Sequence, residues 1–167
     1  MARDHAEGRT GSPSPDRQKP ERPRDELGRP QAWGVENRLQ MPDFDANSLE
    51  ENHQLGIRLL EGGRYFPAHE AWETAWKQAR DTDDAEFFKG LSQLGAGYTH
   101  LLRGNRHGAF TLLRRGAGRV ARYPRGHRGV DTEALTARAH ADAEAVERGT
   151  LEPGPEAVPD PPTVTAV

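Results

Sequence analysis

One short segment of the chain, His69-Glu70-Ala71-Trp72-Glu73-Thr74-Ala75-Trp76, gathers a histidine, two carboxylates and two tryptophans. Imidazole and carboxylate are the side chains that hold divalent metals and move protons near neutral pH. On a helix, His69 and Glu73 stand four residues apart, on one face, where both reach a single ion. The same periodicity sets Trp72 and Trp76 along that stripe and puts Glu70 and Lys77 to its side. Two of the chain's three tryptophans lie here. A titratable pair among them is costly to bury unless it has partners. The zinc-protease spacing His-Glu-x-x-His needs a second histidine where Glu73 stands, so that class is not supported.

A metal site built on this pair needs a ligand from elsewhere. His100 is the candidate, giving a set of His69, Glu73 and His100. Glu70 is then the candidate general base. Gln93 is a contact for a ligand or substrate, with Trp72 and Trp76 beside it. Two histidines and one carboxylate leave positions for water and suit Zn, Mn, Fe or Ni. Water on such an ion is acidified and attacks esters, amides or phosphoesters. The same residues also fit a different role, a satisfied hydrogen-bonded network in a small core. Trp72 and Trp76 are then core, and Glu73 with Lys77 is a surface pair. His53 reads as a core or boundary residue, and His5, His107, His127 and His140 as exposed or loop residues.

The elements that must position these groups are all helical. Ser48 and Glu51 form a capping box ahead of Leu49, His53, Ile57 and Leu60, and Gly62-Gly63 ends that helix. Pro67 suits the first turn of a second helix running to about Arg80. Asp83 and Glu86 offer a cap for a third, over 84–102, whose wide apolar face holds Phe87, Leu91, Leu94, Tyr98 and Leu101. Its other side, Gly90, Gln93, Ala96, Gly97 and His100, is mostly small, so the helix is expected to be packed on two sides. A fourth helix spans 106–122 and ends at Tyr123-Pro124. Asp131 caps a fifth over 132–148, and Gly149 stops it. No strand-like alternation occurs. The fold class is all-α, a compact bundle of about five helices over 44–149.

The motif Phe66-x-x-His69-Glu70-x-x-Glu73-x-x-Trp76 is followed by Phe88-Lys89-Gly90-Leu91-x-Gln93-Leu94. Then come His100-x-x-x-Gly104-Asn105-x-x-Gly108-Ala109 and Tyr123-Pro124. Together these blocks resemble the bacterial and archaeal domain-of-unknown-function family 309 over residues 53–124. The resemblance implies a compact, cytoplasmic, all-helical domain. From the family's general description it also implies a predicted metal-dependent hydrolase.

Composition sets the remaining bounds. The chain has 167 residues, formal net charge -3 and 34% hydrophobic residues. Residues 1–43, rich in Pro and Arg, and the Pro-rich 150–167 lack the apolar content to offset ordering entropy and are expected to be disordered. The absence of cysteine excludes disulfides, thiolate metal sites and a cysteine nucleophile. No apolar run reaches membrane-spanning length and no signal-peptide core appears, so a cytoplasmic protein without membrane contact is expected. Phosphate-binding loops, nucleophile elbows and dinucleotide fingerprints are absent too.

Charge supplies a competing reading. From Phe87 to Val130 there is no Asp or Glu, and arginines abound. Arg115, Arg119 and Arg122 line one face of the fourth helix, a surface for an anionic partner. Without interleaved aromatics, and with a negative net charge, nucleic acid is not the expected partner. The alternative function is therefore a non-enzymatic interaction or scaffold module, with a homodimer as the natural self-assembly of a small bundle.

Overall fold

The computed structural model describes residues 22–34, 36–37, 39 and 41–166. His5 and the rest of 1–21 lie outside the described residues. A 3-10 turn at Phe44–Ala46 leads into five helices: α1 (Leu49–Glu61), α2 (Tyr65–Gln78), α3 (Ala85–Leu102), α4 (Arg106–Val120) and α5 (Thr132–Arg148). No strand occurs among the described residues, so the all-α bundle expected from the sequence is the observed fold.

Local sequence explains most boundaries. The Ser48 side chain accepts from Glu51 N, Asn105 from Gly108 N and Asp131 from Ala134 N, so three helix starts are capped by their own side chains. Gly149, at φ 77°, closes α5 in the left-handed conformation. Pro67 sits in the first turn of α2, where its missing N–H has no carbonyl to bond. The start of α3 differs from expectation. Asp84, and not the expected Asp83, occupies the capping position, and its side chain does not cap. Its carboxylate is bonded instead by His127 Nε2 at 2.7 Å and Arg128 Nε at 2.6 Å. A long-range charged contact has displaced the local one.

The helices pack in chain order, with α3 between α2 and α4. Trp72, Tyr98, Phe87, Phe88, Leu91, Leu94 and Leu113 are fully buried there. Burial of each such side chain contributes about 1.5–3 kcal/mol. The small side of α3 serves close approach. A Cβ on Gly90 would meet the Gly116 carbonyl oxygen of α4 at 3.1 Å, and one on Gly97 would meet Leu113 at 2.8 Å.

His53 is buried at the centre of this core. Its Nδ1 accepts from the Trp72 indole at 3.1 Å, so its proton is on Nε2, which donates to the Arg128 carbonyl at 2.9 Å. The ring stands edge-on to Phe87 and Phe88. Burial holds its pKa below the ordinary histidine value, keeping it neutral. His127, expected to be an exposed loop residue, is only partly exposed and ties its loop to Asp84.

The flanking segments make contacts where they are described. Leu27 O accepts from Arg103 Nε at 3.0 Å, and the guanidinium groups of Arg24 and Arg103 both lie over the Phe66 ring. Residues 150–166 form no helix, but they depart from the expectation of a disordered tail. Val164 is fully buried, and Glu61 Oε1 accepts from Val164 N, Thr165 N and Thr165 Oγ1 at 2.9–3.0 Å. Backbone bonds from Asp131 N to Val164 O at 2.8 Å and from Ala166 N to Gly129 O at 2.9 Å hold the same end, and Arg138 Nη2 donates to Asp160 O at 2.7 Å, in a segment whose prolines already restrict it.

Candidate metal centre

Helix α2 carries the whole cluster. His69 Nε2 lies 3.7 Å from Glu70 Oε1 and 3.6 Å from Glu73 Oε2, and one ligand atom from each residue falls within 4.8 Å of the others. All three side chains are partly exposed. Tetrahedral ligands at zinc-type bond lengths stand ~3.4 Å apart, so a small closure of these side chains suits an ion.

The far side of the imidazole is held by α3. His69 Nδ1 lies 2.9 Å from the Ser92 carbonyl oxygen, which only accepts, so Nδ1 carries the proton. Ser92 Oγ sits 2.8 Å from the same nitrogen and donates to His69 O at 3.2 Å. This is the arrangement that orients metal-binding histidines, with the outer nitrogen donating to a fixed acceptor. Gly95 permits it. A Cβ there would lie 2.8 Å from His69 N and 2.9 Å from its Cα, so α2 and α3 reach this distance only over a glycine.

The tautomer has a chemical consequence. With the proton on Nδ1, the Nε2 lone pair faces two carboxylates, and three acceptors converge with no donor between them. Such a group calls for a cation, either a metal or a second proton on the imidazole. Burial raises the Glu70 pKa, the neighbouring His69 opposes this, and Glu73 adds to it.

Several expected site residues lie elsewhere. The small side of α3 that bears Gln93 and His100 makes its side-chain hydrogen bonds to α4 and its cap. Gln93 Oε1 accepts from Arg119 Nη1 at 3.0 Å, and His100 Nδ1 is 3.0 Å from Asn105 Nδ2 at the start of α4. Burial, Arg103 and His69 lower the His100 pKa. His100 is therefore not in the cluster, and Glu70, expected as a base, takes the third position. Trp72 is fully buried against His53, and Trp76 is half-buried under Lys89, so both are packing residues. Ser92 was missed because it occupies an unassigned position between Leu91 and Gln93; a serine inside an apolar helix is the signal that could have found it.

The arginines expected along the fourth helix divide, and Arg122 falls beyond the end of α4, which stops at Val120 rather than at 122. Arg119 is paired with Glu86 at 3.0 Å and with Gln93. Arg115 and Arg122 are exposed and enter no ion pair among the described residues.

The fold and the site define an all-helical domain that presents a His-Glu-Glu cluster on its second helix, braced by a serine from the third. Residues 53–112 match the family model described as Domain of unknown function (DUF309). His69, Glu70, Glu73, Ser92 and His100 fall inside it, whereas α5 and both flanks fall outside. Among curated proteins and among solved structures, nothing matches the chain. No helix among the described residues is long and apolar enough to cross a membrane.

Proposed function

We propose that this protein binds one divalent metal through His69 Nε2, Glu70 and Glu73 and uses it for hydrolysis. The observation that carries this reading is the convergence of three acceptor atoms within 4.8 Å, with the imidazole proton committed to the opposite nitrogen. A bound ion supplies a Lewis acid and an acidified water. Ser92 holds the imidazole plane and its tautomer. Glu70 and Glu73 supply the two negative charges that balance a divalent ion. Three ligands from one helix leave the solvent side open to water and substrate. The donor set suits Zn, Mn, Fe or Ni.

The test is elemental analysis of the full chain purified without chelator, beside His69→Ala. About one equivalent of metal is expected in the wild type and none in a variant whose circular dichroism is unchanged. Saturating metal at ~100 times Kd adds about 2.7 kcal/mol to stability, a clear rise in Tm. Absence of metal together with no thermal shift on adding Zn, Mn, Fe or Ni refutes the site. Hydrolysis is tested separately, by ester and phosphoester turnover that a chelator abolishes.

A second reading, an interaction module for an anionic partner, draws on exposed Arg115 and Arg122. Salt-sensitive binding lost in the double alanine variant tests it.

A further inference from the structure

We propose that the segment preceding α1 completes a substrate cleft at the metal cluster, and that this cleft takes a small phosphorylated molecule whose phosphoryl oxygens are held by Arg24 and Lys77. The proposal rests on the metal reading above and adds the class of substrate. A cleft of ≈ 690 Å³ lies between α2 and described residues that precede α1, with Arg22, Arg24, Phe66, Glu70, Thr74 and Lys77 in its walls. That volume is within the range of small-molecule sites. Glu70 belongs to both the cleft and the cluster, so a ligand in the cleft abuts the ion's position.

Arg24 is set for an oxyanion. Its Nη1 donates to the Gly28 carbonyl at 2.6 Å, and its guanidinium lies 5.4 Å from the Phe66 ring centre. Nε and Nη2 make no hydrogen bond among the described residues, and they form an edge suited to bidentate contact with a phosphoryl group. Lys77 is exposed on α2, two turns beyond Glu70, and enters no ion pair among the described residues. The charges of Arg24 and Lys77 both bear on the Glu70 carboxylate.

Charge then decides when an anion enters. Asp43 and Asp45 also line the cleft. Asp43, Asp45 and Glu70 offset Arg22, Arg24 and Lys77 in the cleft walls, and Glu73 stands beside Glu70 in the cluster, so the metal-free site offers an anion no net positive charge. A divalent ion makes it net positive. Phosphate binding is therefore conditional on metal, which separates this cleft from a merely basic surface. The residues that supply Arg22 and Arg24 lie outside the matched DUF309 segment, so this specificity belongs to the chain's own flank.

The experiment is calorimetric titration of inorganic phosphate into the full chain, metal-loaded and metal-free, with metal content measured on the same samples. Binding is expected only in the loaded protein. Lys77→Gln and Arg24→Gln are each expected to weaken it about tenfold at unchanged metal content, as loss of a charge-assisted contact does. Lys77→Gln alters an exposed side chain and does not threaten the fold. Metal uptake without phosphate binding overturns the cleft and leaves the metal site standing. Equal binding with and without metal, or full affinity in both variants, overturns it as well. Failure to take up metal overturns both.

Discussion

Gly95→Ala tests the physical basis of the site. The substitution adds one methyl group, placed 2.8 Å from His69 N, 2.9 Å from Cα and 3.1 Å from Cβ. Ordinary contact between such atoms begins at ~3.5 Å, so α2 and α3 must part by about 0.7 Å. Two of the three obstructing atoms are backbone, so no side-chain rotation relieves the clash. Overpacking of this kind costs ~1–3 kcal/mol. Replacing a helical glycine by alanine returns up to ~1 kcal/mol. The expected net is a loss of up to about 3 kcal/mol. Gly118→Ala is the internal control, because a Cβ on Gly118, at an exposed position of α4, meets nothing within 4 Å. That variant should gain ~0.5–1 kcal/mol from propensity alone. Urea unfolding of both variants reads the difference, as a lowered midpoint for Gly95→Ala and a raised one for Gly118→Ala. Parting the helices also draws Ser92 away from His69, so metal affinity in Gly95→Ala should fall about 10–100-fold. If both variants shift stability equally, the close approach of α2 and α3 is not what positions His69.

Stability should also fall with acid through His53. Its pKa in the fold lies below the ordinary 6.5, so the unfolded chain takes up a proton first. The contribution is complete above pH 6.5 and is lost as pH drops toward the folded pKa. A Tm that stays flat between pH 7 and about 5.5 would contradict the buried neutral imidazole. Glu61→Gln should loosen the C-terminal segment at a cost of about 1 kcal/mol, the difference between charged and neutral acceptors. Limited proteolysis after residue 150 reads this directly, and unchanged protection would refute the latch. In the wild type, burial raises the Glu61 pKa, but hydrogen bonds from Thr165 and Val164 outweigh it and hold the carboxyl below 4.5. The contribution should therefore be complete above pH 4.5 and be lost as pH falls through the lowered pKa, releasing the same segment.

The helices were legible in the sequence because their determinants are local. Ser48, Asn105 and Asp131 cap within three residues, glycines close the ends, and apolar periodicity marks the faces. His69 and Glu73 were legible for the same reason, since four residues on a helix always share a side. Which neighbour each face of α3 meets was a different matter. Periodicity grouped Gln93 with His100 correctly, but only the order of packing turned that side toward α4 and left Ser92 and Gly95 against α2. Thus His100 lost its place in the cluster and Glu70 took it. The pairing of Trp72 with His53, the displacement of the Asp84 cap by His127 and Arg128, and the seating of Val164 beside Glu61, 103 residues away, were likewise settled in three dimensions. Local spacing determines which groups share a helix face. Long-range burial and charge pairing, in which a distant partner competes with a near one, determine what that face touches.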